Sequence, residues 1–325
     1  MRASWLIPVR DGSAWLQEAV DSALDQCSKQ DEVVVVDDGS TDGGATALKD
    51  HSQLRVVRQE PLGITAALEL GRKICQGQYL ARLDADDIAL PGRLAAQVEA
   101  LDAEPDLAVV GGRAQLVTGE QSAEGMRHYV DWVNRLEDPH PQLLVESPLF
   151  HPATTLRAEA IANVGGYREG DFPEDYDLWL RLVSAGWRLS NLPQEVVRIR
   201  DRPDRLTRQD PRYRPEAFRL LRMAHLARTD LATPRRVVVW GAGRGGRPWI
   251  RWLLAQGHHL PAVLDIKWGT ERHGVPILAP ETLPDLEFDL LLVAVGLRDV
   301  KEEIRGQLAQ IWPEGVEGED WWAVL

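Results

Sequence analysis

The sequence predicts an α/β protein: a mostly parallel sheet with helices on both faces, followed by a second, smaller α/β domain. Three observations predict it. Val-rich apolar runs alternate with segments of helical periodicity. Two apolar strands stop at acids, in VVVVDD and YLARLDADD. After an Arg-rich stretch, a fresh apolar run leads into the glycines of GAGRGG. With 325 residues, the chain also exceeds one average domain.

The elements follow in order. SWLIPV reads as a strand. SAWLQEAVDSALDQ places Leu16, Val20, Ala23 and Leu24 on one helical face. DEVVVVDDGSTD is an apolar strand ending at Asp37 and Asp38, and LRVVRQ is a short strand. GITAALELGRKIC is a helix whose apolar face carries Ile64, Leu68 and Ile74. YLARLD is a strand. A helix from Pro91 to Leu101 follows, with proline at a tolerated first-turn position. In sheets of this kind ligands sit beyond the carboxyl ends of the strands.

Composition narrows the function. The net charge of −13 argues against nucleic acid as a partner. No apolar run reaches the ~20 residues of a membrane helix. The N-terminus does not read as a signal peptide. Cys27 and Cys75 fit no metal or disulfide framework, so a cytoplasmic location is expected. From Ile199 to Arg236 there are eleven Arg, no Lys and five acids. The prolines of this stretch punctuate a loop, a helix from about Pro215 to Arg228 and a linker. The expected domains are therefore 1–198, an Arg-rich closing loop, helix and linker over 199–235, and 236–325.

The acids pose the chemical question. If both acidic strand ends lie on one sheet edge, Asp37, Asp38, Asp84, Asp86 and Asp87 share a cleft. Like charges ~4 Å apart repel by ~4 kcal/mol at an effective dielectric of ~20. A divalent cation, Mg2+ or Mn2+, relieves that with one or two carboxylates and leaves positions for water and phosphate oxygens. Acids at strand ends also cap helices and shape turns without any metal. A calcium loop starting at Asp84 is excluded by Ile88, Ala89 and Ala95, which stand where an oxygen ligand, a glycine and a glutamate are required.

Four stretches occur in register: WLIPVRDG, VVVVDDGSTD, YLARLDADDIALPGRL and GGYREGDFPEDYDLWLRLVSAGW. Together they resemble the inverting family-2 glycosyltransferases of the GT-A fold, over roughly the first two-thirds of the chain. The resemblance implies that Pro8 and Val9 close the first strand against the nucleotide base, which Asp37 with Asp38 hydrogen-bonds. It implies Asp84 at the ribose or the metal, Asp86 as the main metal ligand on the diphosphate, and Asp175, with Glu174 beside it, as the catalytic base. An inverting transferase needs such a carboxylate to take the acceptor's proton, and a helix N-terminus keeps it ionised. The alternative is a plain helix cap. His151, in SPLFHPATTLR, is a candidate for the donor, the acceptor or the metal; a packed histidine is the alternative. Arg205, Thr207 and Arg208 match the segment that closes over donor phosphates, a task suited to guanidinium forks; a basic surface linker is the alternative. Pro61 and Glu69 stand where family members commonly carry Asn, and the histidine common after the last strand is missing.

In the second domain Gly241, Gly243 and Gly246 follow the strand Val237 to Trp240 and open a helix, and Asp265 lies 19 residues beyond Gly246. This is a Rossmann-like dinucleotide fingerprint. FDLLLVAVG reads as a later strand and DVKEEIRGQLAQI as a helix. About ninety residues suffice for one mononucleotide-binding half, so a structural or oligomerising role, a bound nucleotide-sugar and NAD(P) all stay open. The twelve Trp suit cores and interfaces. The partners expected are a nucleotide-sugar donor, expected to be UDP-linked, and a hydroxyl acceptor that is a glycan, lipid-linked or protein. A homo-oligomer and a peripheral membrane contact are compatible with the sequence. The rival functions are a non-catalytic nucleotide-sugar sensor and an NAD(P)-dependent oxidoreductase.

Overall fold

The computed structural model describes residues 1–118, 124–266, 271–296 and 298–325. Contacts divide the chain into two compact units, Met1–Pro139 with Ser147–Phe218, and His140–Glu146 with Arg219–Leu325.

In the first unit the elements are β1 (Ala3–Val9), α1 (Leu16–Leu24), β2 (Glu32–Asp38), β3 (Leu54–Gln59), α2 (Ile64–Ile74), β4 (Tyr79–Arg82), β5 (Ile88–Ala89), α3 (Arg93–Ala103), β6 (Leu107–Thr118), α4 (Glu124–Val133), β7 (Thr155–Arg157), α5 (Ala158–Asn163), α6 (Glu174–Ser184), β8 (Arg188–Asp201) and α7 (Leu206–Gln209). Helix α8 (Pro215–Leu226) contains the division between the units. The strands form one sheet in the order β3-β2-β1-β4-β7-β6-β8-β5. β3, β2, β1 and β4 run parallel. β7 is antiparallel to both β4 and β6, β6 and β8 are parallel, and β5 is antiparallel to β8. The fold is therefore mixed α/β with a mostly parallel sheet. Because β1, β2 and β4 are parallel neighbours, their carboxyl ends, and the acids beyond them, lie at one edge.

Alternation along β1 sends Trp5 and Ile7 into a core with Leu16, Val20, Val33, Val35, Leu94 and Val98, all buried. Leu6 points to the other face, against α2. There a Cβ on Gly71 would stand 2.1 Å from Leu6 Cδ1, so only glycine allows this helix so close. That contact rotates α2 from its expected face: it buries Thr65, Ala67, Leu68 and Gly71, while Ile64 and Ile74 are only half-buried. α3 starts at Arg93 rather than Pro91, because Gly92 takes a left-handed conformation (φ +82°) just before it. Pro8 sits in a central strand although it lacks an N–H. It is tolerated because β4 pairs with β1 only from Ala3 to Leu6, leaving Pro8 with β2 alone.

The second unit holds β9 (Val237–Trp240), α9 (Gly246–Ala255), β10 (Val263–Leu264), β11 (Glu271–Arg272), β12 (Val275–Leu278), β13 (Leu290–Val293), α10 (Arg298–Ile311) and β14 (Trp321–Ala323). Its sheet runs β11-β12-β10-β9-β13-β14, parallel throughout except for β11. Trp249 is fully buried and meets Trp252 edge-on, and Trp321 is buried in β14. Among the described residues no helix is long and apolar enough to cross a membrane.

Candidate active site

The site begins where β4 ends. Asp84, Asp86 and Asp87 offer carboxylate oxygens that lie within 4.8 Å of one another, and among the described residues no other group of three His, Cys, Asp or Glu does so. Burial pushes the Asp86 carboxyl upward and that of Asp87 well above the carboxylate range, each reinforced by the charge of its acidic neighbours. Asp87 Oδ1 accepts from the Arg200 N–H at 3.0 Å, while its other oxygen is buried without a partner. Such an oxygen is costly to leave bare. A hard, all-oxygen donor set with one orphaned oxygen fits a Mg2+- or Mn2+-sized cation.

Three arginines partly offset this charge. Arg82, almost wholly buried on β4, pairs with Asp84. Burial opposes its charge, yet Asp84 and Glu174 hold its proton on. Arg202 Nε lies 3.1 Å from Asp86 Oδ2, with its guanidinium 4.2 Å from the ring centre of Trp15. Arg205 Nη2 is 3.9 Å from Asp84 Oδ2. Arg208 is turned elsewhere: it pairs with Asp201 and donates to the Arg202 carbonyl. β8 runs to Asp201, so Arg200 belongs to a strand rather than a loop. It donates to the Asp86 carbonyl at 2.7 Å.

Arg82 also links the acids to α6. Its charge acts on Asp84, Glu174 and Asp175. Asp175 is the second residue of α6, and its carboxylate accepts the Tyr176 N–H at 2.7 Å. The helix N-terminus was expected to keep it ionised. Instead burial, and then the charge of Glu174, push it up to about 7. A fixed partial charge at a helix end is weaker than the combined desolvation and like-charge effects here. Glu174 is buried; its Oε2 accepts from the Tyr213 hydroxyl at 2.7 Å, and its Oε1 lies 3.9 Å from His151 Nδ1. His151 is buried outside the acid group, with Nε2 2.9 Å from the Tyr167 hydroxyl and its ring edge-on to Trp179. Burial moves it well below the usual histidine range, so it is neutral.

At the end of β2, Asp37 is buried, accepts from Ser40 N and pairs with Arg58 at 2.6 Å. Asp38 accepts from Gln59 Nε2 and from the N–H groups of Leu62 and Gly63, the last at 2.9 Å. It thus shapes the turn into α2, where Gly63 takes φ +95°. Pro8 and Val9 are buried in β1 beside it. Glu69 grips Arg72 through both oxygens and accepts from Tyr167 N, so it ties α2 to the loop before α6.

Sequence reasoning passed over Arg82, Arg93, Arg202 and Tyr213. Arg93 is fully buried and, among the described residues, makes no ion pair with a carboxylate. It donates to the carbonyls of Arg82, Pro152 and Thr154, and so fixes the end of β4 against the His151–Ala153 turn. The signal for Arg82 was an arginine inside the apolar run YLAR; the other three carried none.

In the second unit Asp265 Oδ2 accepts the Ala242 N–H at 2.8 Å. Gly246 lies so close to Gly241 that a Cβ would stand 1.7 Å from the Gly241 carbonyl oxygen, and one on Gly245 would stand 2.2 Å from Leu325 Cδ1. Gly243 has open space around it.

The order and mostly parallel course of the sheet are those of a GT-A-type fold. The chain belongs to glycosyltransferase family 2: residues 4–160 match the family described as Glycosyl transferase family 2. It is 30% identical over 199 residues to the amylovoran biosynthesis glycosyltransferase AmsE of Erwinia amylovora, covering 60% of this chain and 73% of that one. It is 26% identical over 199 residues to the UDP-Gal:alpha-D-GlcNAc-diphosphoundecaprenol beta-1,3-galactosyltransferase of Escherichia coli, covering 60% and 71%. Among solved structures it is similar to S. aureus TarS 1–349 in complex with UDP-GlcNAc, with a TM-score of 0.54, 19% identity and coverage of 70% and 67%. It is also similar to the mannosyltransferase PcManGT from Pyrobaculum calidifontis in complex with GDP-Man and Mn2+, with a TM-score of 0.52, 23% identity and coverage of 78% and 68%.

Proposed function

We propose that this glycosyltransferase is metal-dependent and inverting, and that it moves a sugar from a UDP-linked donor to a hydroxyl acceptor in bacterial glycan assembly. One observation carries the reading. The carboxylates of Asp84, Asp86 and Asp87 converge at one sheet edge, and Arg82 joins them electrostatically to Glu174 and Asp175. On this reading leaving-group chemistry and base chemistry share one site. The names of the E. coli relative and of the TarS complex support a UDP-linked donor, and the PcManGT complex supports Mn2+.

Asp86 and Asp84, with Asp87 behind them, would hold the cation. When bound, it would screen the charge building on the departing diphosphate. Arg202 and Arg205 are placed to pair with phosphate oxygens beside it. Asp175 would take the proton from the acceptor hydroxyl as that oxygen attacks the anomeric carbon. Asp37 and the β1 end would border the base. The second unit we read as Rossmann-like. Its glycine loop is engaged by its own Asp265 and Leu325, which favours a structural or nucleotide-holding role over redox chemistry.

The test is nucleoside-diphosphate release from UDP-galactose, UDP-N-acetylglucosamine and GDP-mannose, with and without Mn2+, over an acceptor panel, followed by proton NMR of the product. Inverted anomeric configuration with Mn2+-dependent turnover is expected. Retained configuration would refute the mechanism.

A further inference from the structure

We propose that Tyr213 is a positioning residue for the transfer: its hydroxyl anchors Glu174 against Asp175 and ties the base to the Arg-rich segment that covers the acids. This rests on the reading of Asp175 as the base.

The geometry is specific. The Tyr213 hydroxyl donates to Glu174 Oε2 at 2.7 Å, and the Glu174 carboxyl is buried. The turn that carries Tyr213 is itself fixed: Asp210 accepts from Arg212 N at 2.9 Å and from the Arg212 guanidinium, and Arg212 Nη1 reaches Thr65 Oγ1 of α2 at 3.1 Å. Eight residues earlier, Arg205 faces Asp84, and Arg202 faces Asp86. One continuous stretch therefore touches the leaving-group end of the site and the base end.

The groups facing Glu174 decide what the bond does. From β4 comes Arg82, from the turn before β7 neutral His151, from the loop before α6 Tyr167, and from the 211–213 turn Arg212 and Tyr213. From its own helix comes Asp175. Burial raises Glu174, while the Tyr213 hydroxyl opposes that most strongly and favours the charged form. A charged Glu174 makes Asp175 a stronger proton acceptor, which suits a base working near neutral pH. Without the hydroxyl, a shared proton settles on Glu174, and Asp175 is left ionised but weakly basic.

The experiment compares wild type, Tyr213→Phe, Glu174→Gln and the double variant. Without any donor, the melting temperature of each is followed from pH 4 to 9 alongside its Asp175→Asn counterpart. Asp175 is raised on folding, so its contribution to stability is present at low pH and fades as pH climbs to its folded value. The wild-type difference should fade up to about pH 7. In Tyr213→Phe it should finish fading at lower pH, and Glu174→Gln should move it the same way. The double variant should match Glu174→Gln alone. In turnover of UDP-galactose, UDP-N-acetylglucosamine or GDP-mannose with Mn2+, Tyr213→Phe should lower the kcat plateau severalfold and move its midpoint acidward. An unmoved titration in Tyr213→Phe, or a further shift in the double variant, overturns the role of Tyr213. Undiminished turnover by Asp175→Asn instead overturns the base assignment on which it rests.

Discussion

The pH dependence of turnover tests the base most quantitatively. Asp175 is pushed up to about 7, first by burial and then by Glu174. As a general base it must be ionised. With that value, roughly a tenth of the molecules carry the charged form at pH 6 and roughly nine-tenths at pH 8. kcat should therefore rise about tenfold from pH 6 to pH 8 and then flatten. Asp175→Asn should lose about 10²- to 10⁴-fold in kcat, the usual contribution of a positioned base, and the residual rate should show no midpoint near 7. The donor KM should hardly change, because the acids at the end of β4 are intact. The assay is steady-state release of nucleoside diphosphate at saturating Mn2+ and UDP-galactose, UDP-N-acetylglucosamine or GDP-mannose, taken in half-unit pH steps. A wild-type profile that is flat from pH 5.5 to 8, or the same midpoint surviving in Asp175→Asn, would refute the reasoning.

Other outcomes are expected. Asp86→Ala should weaken Mn2+-dependent donor binding by more than tenfold, measured by calorimetry with UDP. Arg202→Gln removes a cation 3.1 Å from Asp86, so Mn2+ alone should bind about tenfold more tightly while the donor KM rises. Arg93→Met removes the guanidinium donor from three buried carbonyls, of which that of Thr154 keeps the Arg82 N–H, and should cost about 2 kcal/mol or more in urea unfolding, with an unchanged m-value.

Much of the first unit was legible in the sequence, because its strands are apolar on both faces and stop at acids. The Val-rich run of β2 and the apolar run of β4 fall where the pattern placed them, and the carboxylates of Asp84 and Asp86 meet. What was not legible depends on groups distant in the chain. The buried face of α2 is set by Gly71 against Leu6, an approach that a hydrophobic count does not weigh. Asp38 shapes a turn through three donors, one a side chain and two N–H groups of the loop ahead. The charge of Asp175 is set by burial and by Glu174, which outweigh the helix end. Arg82, Arg93 and Glu174 are charged residues inside the protein; Arg82 pairs with nearby Asp84, while Arg93 and Glu174 are held by partners dozens of residues away, and periodicity assigns such residues to the surface. Tyr213 lies in a stretch read as the Arg-rich closing loop, where only the fold shows it against α6.

The most direct measurement of the central idea is thermal unfolding with UDP-galactose, UDP-N-acetylglucosamine and GDP-mannose, each with and without Mn2+. Stabilisation that requires both a nucleotide-sugar and Mn2+, and that disappears in Asp86→Ala, is the predicted result. Equal stabilisation without the metal, or in Asp86→Ala, would contradict a cation held by these acids on the donor diphosphate.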